Sequence, residues 1–459
     1  MRCFLTTITT VIVALVQAAA AFAQQSPDPV LELKQEASEL RSRLDALEKR
    51  IHQLESATPS GETGTPVSTD APQQNPPPAT GSTSGLLRDT TFNLLLDTYY
   101  EYNFNAPIGR VNLLRAYDVS SNSVSLNQAA VVLENAPKPD AGKRWGARLD
   151  LQWGQATQTL QGNPTNEPRP DIYRAIFQAY GTYVAPLGRG LTLDFGKWAS
   201  AIGIEGNYAK DQINYSRSFW YNFLPFYHMG LRASYNLTDS FAIHYWLTNG
   251  TDQTEAFNGF KDESAGLTWQ ARKSVNWIFN YYVGQEHPDV IYSPPGTSAG
   301  VGDLPTQQGV PFEPIHAAPT GKLHIFDSYA TWQATKALTF AADADWVIER
   351  NFSYSAPSRV TGGTIYGRYE LTPKVAVGAR AEYLSDRGGL FSGVTQALKE
   401  TTLTADYRFA ESFLGRLEWR RDFSNRPYFY SDTLGILRRQ QNTVGIGLLW
   451  WFGGKEGAW

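Results

Sequence analysis

Trp145-Gly-Ala-Arg-Leu-Asp-Leu-Gln-Trp153 alternates in chemistry at every step. Trp145, Ala147, Leu149, Leu151 and Trp153 share one parity, and Gly146, Arg148, Asp150 and Gln152 share the other. A β-strand sends successive side chains to opposite faces, so one face here is apolar, with a tryptophan at each end, and the other is polar and charged. One such strand would also fit a soluble sandwich, where the apolar face meets a second sheet. The pattern recurs to the last residues, and that recurrence points to an all-β fold: a transmembrane antiparallel barrel with lipid outside and water inside.

The 459 residues have room for one large barrel plus extensions. Aromatic residues make up 13%, with 13 Trp and 24 Tyr, which suits aromatic belts at two membrane interfaces. Mean hydropathy is −0.35, which excludes a bundle of transmembrane helices and fits strands that face water on one side. A formal net charge of −4 argues against nucleic acid and against an acidic membrane surface as partner. The only cysteine, Cys3, sits in a segment expected to be removed, so the mature chain has no disulfide framework and no thiolate chemistry. No cofactor is expected.

Residues 1–23 read as a secretory signal: Arg2, an apolar stretch through Val11–Leu15, and an Ala21-Phe22-Ala23 cleavage site. Val30 to Leu54 then carries a heptad. Val30, Ala37, Leu44 and Ile51 take the a positions, and Leu33, Leu40, Leu47 and Leu54 take d, so a coiled-coil oligomerisation helix is expected over 30–56. Residues 57–85 are rich in Pro, Ser, Thr and Gly and read as a disordered linker. An apolar stripe on such a tether buries itself against its own copies, so a homo-oligomer is expected, as a homotrimer through coiled coil and barrel. Residues 86–459 form the barrel domain. These features place the barrel in the bacterial outer membrane, with the coiled coil in the periplasm.

From Phe92 the apolar period is two, and strands are expected at Phe92–Tyr102, Leu126–Leu133, Trp145–Trp153, Tyr173–Tyr183, Leu191–Ala199, Met229–Tyr235, Phe241–Leu247, Ala265–Ala271, Val275–Val283, Phe326–Ala334, Leu338–Ile348, Thr364–Tyr369, Val375–Tyr383, Leu403–Phe409, Phe413–Phe423 and Val444–Phe452. They make a barrel of about 16 strands, an even number as bacterial barrels require. Short turns alternate with long loops, among them Asn105–Ser123, Gln155–Asp171, Ser200–Ser218 and Glu286–Lys322. Short connections on one rim and long ones on the other are the outer-membrane pattern.

Parity sorts the charges. A lipid-facing Arg or Lys near the midplane costs about 2–4 kcal/mol, so the register that turns charge inward wins. Arg148, Arg174, Arg232, Arg272, Arg368, Arg380, Arg408 and Arg416 are turned to the lumen by this rule, as are Asp97, Glu101, Asp194, Asp327, Asp343, Asp345, Glu370, Glu382, Asp406 and Glu418. Lys197 falls on the lipid parity of its strand and is expected near a rim, at a bulge or at a subunit contact. A lumen lined by both signs holds water, and at this strand number it is wide enough for an aqueous channel. Much of this charge serves only to solvate the wall and pair across strands. Arginines facing carboxylates across a narrow pore would also set a transverse field on passing solutes.

Gly196-Lys197-Trp198 running into Gly203-Ile-Glu205, then Tyr215-Ser-Arg-Ser218 and the Pro225 to Tyr235 strand, resemble the OmpL-like beta-barrel porin family, the second such barrel-porin family. Leu126-Asn-Gln-Ala129 and the opening Asp97 to Asn103 are similar too. The motifs cover Phe92 to Gly284; beyond them only the strand pattern matches. The resemblance implies an outer-membrane porin, a channel for passive diffusion of small hydrophilic solutes and ions, with outer-membrane lipid around it. The coiled-coil extension is similar, in architecture only, to phosphate-selective porins, which would imply an anion-selective pore. In general porins the third long loop narrows the barrel. Here that implies a constriction at Ser200–Ser218 with Glu205, Lys210, Asp211 and Arg217, opposed by Arg148, Arg174 and Arg232; Asp343, Asp345, Arg368, Arg380, Glu382, Arg408, Arg416 and Glu418 line the lumen.

Two other classes compete. Gly296-Thr-Ser298-Ala-Gly300 fits a nucleophile elbow, but Pro294-Pro295 precede it and no helix pattern follows, so an enzyme is not expected. The six histidines show no metal-ligand spacing. A structural role, with the barrel as an anchor tied to the cell wall through the coiled coil, is compatible with the same architecture.

Overall fold

The computed structural model describes residues 89–161, 167, 169–293, 313–317, 320–455 and 458–459. The signal (1–23), the heptad helix (30–56), the linker (57–85) and Gly296–Gly300 lie outside the described residues.

Sixteen antiparallel strands close on themselves. They are β1 (Thr91–Asn103), β2 (Ser123–Asn135), β3 (Trp145–Trp153), β4 (Ile176–Ala185), β5 (Leu191–Ala199), β6 (Tyr227–Asn236), β7 (Phe241–Thr248), β8 (Asp262–Arg272), β9 (Val275–Gly284), β10 (Leu323–Gln333), β11 (Leu338–Glu349), β12 (Ser358–Thr372), β13 (Val375–Arg387), β14 (Gln396–Ala410), β15 (Phe413–Ser424) and β16 (Gln440–Gly453). Each pairs with its chain neighbours, and β1 pairs with β16 from Asn93↔Gly453 to Asn103↔Thr443. One rim carries tight turns such as 273–274, 373–374 and 411–412, and the other carries the long connections.

The alternation of each strand is visible in its burial. On β13, Val377 and Tyr383 are exposed outside while Arg380 and Glu382 are buried inside. The quoted strand, β3, ends in Trp145 and Trp153, both on the outer surface. Aromatic rings stack around the short-turn rim: Phe409 on Phe413 at 4.7 Å and Phe413 on Trp450 at 4.4 Å. Phe452 is the outward aromatic that ends β16, opposite Leu94. Trp459 instead turns to Tyr208, ring to ring at 5.6 Å.

Two local readings need correction, that of Arg174 and that of an inner wall polar throughout. Arg174 is not on a strand: it ends the short helix Pro170–Tyr173 and pairs with Asp171 at 2.7 Å on the exposed surface, because Pro170 at the first turn favours helix over extension. Lys197, on the lipid parity and expected near a rim, at a bulge or at a subunit contact, lies two residues from the end of β5 and is 2% exposed. Gly196 before it adopts φ +136, and its missing Cβ would lie 2.3 Å from the Ala179 carbonyl, so the backbone swings there and tucks the ammonium 3.8 Å over the Tyr227 ring. The inner wall is not polar throughout. Toward the long-loop rim, Leu323, Ile325, Val347, Val360, Leu384 and Leu398 face inward and are buried with Phe219, Trp220 and Leu224.

Leu403 lies midway along β14 and is 52% exposed on the outer surface. Leu403→Arg is therefore expected to lower stability in lipid vesicles by about 2–4 kcal/mol, read by urea unfolding; an unchanged midpoint would contradict the sidedness.

Candidate functional site

The connection from β5 to β6, residues 200–226, lies against the inside of the barrel, and its backbone is held by side chains of the wall. Arg380 on β13 donates to the Glu205 carboxylate at 2.8 Å and to the Ser216 carbonyl at 2.7 Å, and its Nε binds Glu400 at 3.0 Å. Arg416 on β15 donates to the carbonyls of Ala209, Gln212 and Asn214 at 2.8, 2.9 and 3.1 Å, and its Nε to Asp406 at 2.7 Å. Glu418 accepts the amides of Tyr215 and Ser216 at 2.6 and 2.9 Å. Asp327 on β10 accepts the Gly203 amide at 3.1 Å.

Within the connection, Phe219–Phe223 forms one helical turn. Ser218 caps it by accepting the Tyr221 amide at 3.0 Å, and Glu382 on β13 accepts the amides of Phe219 and Trp220, both at 2.9 Å. The first amides of a helix have no internal partner, and an anion there also meets the positive end of the peptide dipoles. Phe219 and Trp220 are fully buried on the apolar inner collar, and burying a side chain such as Phe219 stabilises by roughly 1.5–3 kcal/mol.

The structure brings some of the expected residues together and separates others. Glu205 meets Arg380 rather than any of Arg148, Arg174 or Arg232. Arg217 is fully buried; it donates to the carbonyls of Gly206, Tyr215 and Asn207 and lies 4.7 Å over the Tyr117 ring. Lys210 pairs with Asp211 at 2.7 Å and lies 4.4 Å over the Trp459 ring, while Asp211 accepts the Trp459 amide. Arg148 pairs with Asp150 at 2.8 Å, and Tyr208 of the connection donates to the same aspartate at 2.7 Å. Arg232 pairs with Asp194 at 2.8 Å, over the Trp198 ring. Arg174 stays in the β3–β4 connection with Asp171. Arg368 pairs with Asp406 at 2.7 Å, and with Arg408 both border a cavity of about 250 Å³ at the short-turn mouth. Asp343 and Asp345 lie together beside Asp327.

A larger cavity, about 500 Å³, opens on the long-loop side. Phe223, Leu224, Leu323, Ile325, Val347 and Phe391 line it together with four carboxylates, Glu167, Asp252, Glu286 and Glu349, and its lining contains no Lys or Arg. Asp252 accepts the amides of Phe226 and Tyr227 at 2.7 and 3.1 Å. Burial pushes its carboxyl up to about 7 against those hydrogen bonds. Burial, then the neighbouring Asp262 charge, pushes Glu286 well above the usual carboxylate range. Parity reasoning missed these four as a group. Three of them lie in or beside long connections, where no strand period assigns a face.

A family model described as "Putative beta-barrel porin-2, OmpL-like" matches residues 89–452. No curated protein matches the chain in sequence. Among solved structures, the chain resembles an anion-selective porin from Comamonas acidovorans, with TM-score 0.51 and 7% identity, covering 79% of this chain and 99% of that one. It also resembles the outer-membrane channel DcaP of Acinetobacter baumannii, with TM-score 0.50 and 10% identity, covering 79% and 97%. At such identities these likenesses show the barrel fold alone.

Arg380→Ala would leave Glu205 buried without its guanidinium and Glu400 with Arg420 alone, at 3.8 Å. The expected loss is about 3–5 kcal/mol in detergent unfolding, together with new protease cleavage within 200–226. Unchanged stability with an intact segment would contradict the brace.

Proposed function

The chain belongs to the OmpL-like beta-barrel porin family, and on that footing we propose that it forms a water-filled channel across the bacterial outer membrane. Small hydrophilic solutes and ions would cross it by passive diffusion, with residues 200–226 as the constriction. The observation that carries this reading is a closed wall with ionic side chains along its inner face and a long connection braced across the inside. The short turns would face the periplasm and the long loops the exterior.

Within that reading, the constriction residues divide by task. Arg217 and the Glu205–Arg380 pair hold the narrow geometry, since their charges are buried against each other or against backbone. Lys210 and Asp211 sit toward the short-turn side, and Arg148 and Arg232 belong to opposing wall pairs. A preference for cations is supported by the long-loop cavity, whose described lining holds four carboxylates and no lysine or arginine; the Lys197 ammonium over the Tyr227 ring offsets part of the Glu167 and Asp252 charge and leaves the excess negative. Carboxylates at a low-dielectric mouth raise the local concentration of cations and repel anions. The anion selectivity named for the Comamonas porin is a property of that protein and does not follow here.

A homotrimer is part of the proposal, supported by the heptad at 30–54. Full-length protein is expected to elute as a trimer in detergent, and removal of residues 30–56 is expected to weaken that assembly; a monomer in both forms would count against it.

Asp252 is neutral below about pH 7 and charged above it, so cation preference should grow as pH rises through that value. Reversal potentials in a planar bilayer under a potassium chloride gradient are expected to move toward the potassium potential between about pH 6 and pH 8, and Asp252→Asn should flatten the change. Anion selectivity at both pH values would refute the cation preference, and absence of conductance would refute the channel.

A further inference from the structure

Three aspartates converge on the inner wall where β10 meets β11. Asp327 and Asp345 are direct cross-strand partners, and Asp343 stands opposite Tyr329 on the same face. One oxygen from each lies within 4.8 Å of the others. Their exposures are 0, 5 and 5% for Asp327, Asp343 and Asp345.

Buried carboxylates ordinarily take a guanidinium, an ammonium or several amides. Here no described ion pair reaches the three aspartates, and Arg380, two strands away on the inner wall, binds Glu205 and Glu400 instead. Asp327 accepts from Asn280 at 2.5 Å and from the Gly203 amide. Among the described residues, both oxygens of Asp345 and Oδ1 of Asp343 accept from no N–H or hydroxyl donor; Asp345 has only the carboxyl groups of Asp327 and Asp343 within hydrogen-bonding reach.

A second observation comes from a neutral side chain. Thr364 on β12 is the direct cross-strand partner of Asp343, so both project from the same inner face. It is 2% exposed, and its hydroxyl oxygen also lacks a hydrogen-bond partner among the described residues. Carboxylate repulsion does not explain an idle hydroxyl, whereas a shared cation would use the hydroxyl and the carboxylates at once.

We propose that Asp327, Asp343, Asp345 and Thr364 form an inner-wall site for one calcium ion. The donor set is oxygen only, which selects a hard cation over zinc or copper. Calcium accepts six to eight oxygens at about 2.3–2.6 Å in flexible geometry, so opposite ligands stand about 4.6–5.2 Å apart and three oxygens within 4.8 Å of one another fit one sphere; magnesium demands a tighter octahedron. Water completes the sphere. The ion neutralises the wall and, through Asp327 and its bond to Gly203, braces residues 200–226 against β10. The site goes beyond the channel reading and does not depend on conduction.

Full-length protein in detergent, stripped with a chelator, is titrated with calcium by calorimetry, and its Tm is followed with and without the ion. The expected result is one calcium per chain and a higher Tm, with affinity weakened at least about tenfold in both Asp345→Asn and Thr364→Val. In chelator, Asp345→Asn should melt above the natural protein, because one repelling charge is gone; in excess calcium the order should reverse. Absence of stoichiometric calcium binding overturns the site, as does affinity unchanged in either variant. Should Asp345→Asn fail to fold, Thr364→Val decides alone. Magnesium binding more tightly than calcium overturns the choice of ion.

Discussion

Hydrocarbon offers no hydrogen-bond partner, so a wall of strands stands in a membrane only if its last strand finds its first. The pairing of β1 with β16, from Asn93↔Gly453 to Asn103↔Thr443, meets that demand. Closure then dictates the rest. Once every backbone group is held in the ladder, the only freedom left to a strand is which parity faces lipid, and each charged residue settles it. That is why Arg380, Glu382, Arg416 and Glu418 all lie inside without any of them being needed to define the barrel.

The same demand applies within the lumen. Residues 200–226 carry amides and carbonyls into a crowded interior where water cannot reach them all, and a buried peptide group without a partner costs as much as a lost hydrogen bond. The wall supplies the partners. Glu382 and Glu418 accept four amides, and Arg416 takes three carbonyls. The inner charges thus act as a template for a segment with little regular structure. This explains why carboxylates and guanidinium groups alternate along β13 and β15. An uncharged wall of the same shape would leave the segment unsatisfied.

Strand number, closure and sidedness were legible because a period of two needs only local information. The strands began or ended a few residues away from expectation where glycine and threonine dilute the pattern, as at Gly362 and Gly363 of β12. Arg174 was misread because parity says nothing about a proline-started helical turn. The residues of the candidate constriction were individually visible, but not their partners. Glu205 meets Arg380 across a separation of 175 residues, and no spacing rule reaches that far. The apolar inner collar was hidden for a different reason. Leu323, Ile325 and Val347 share the parity of Asp327, Asp343 and Asp345, so hydropathy near the rim contradicts the lumen rule unless a buried segment is there to meet them.

That contradiction gives the lumen a polarity along its axis. Near the long loops the described lining is greasy with an excess of carboxylates; near the short turns Arg368, Asp406 and Arg408 present mixed charge. Between them lies the braced segment, seated on apolar residues above and on ion pairs below. An apolar seat fixes position without fixing direction, whereas hydrogen bonds to Glu382 and Arg380 fix direction but tolerate little displacement. Using both lets a connection of irregular backbone keep one conformation inside the barrel. It follows that the ion pairs and the greasy collar cannot be varied independently: removing either leaves the other holding a segment free to rotate or to slide.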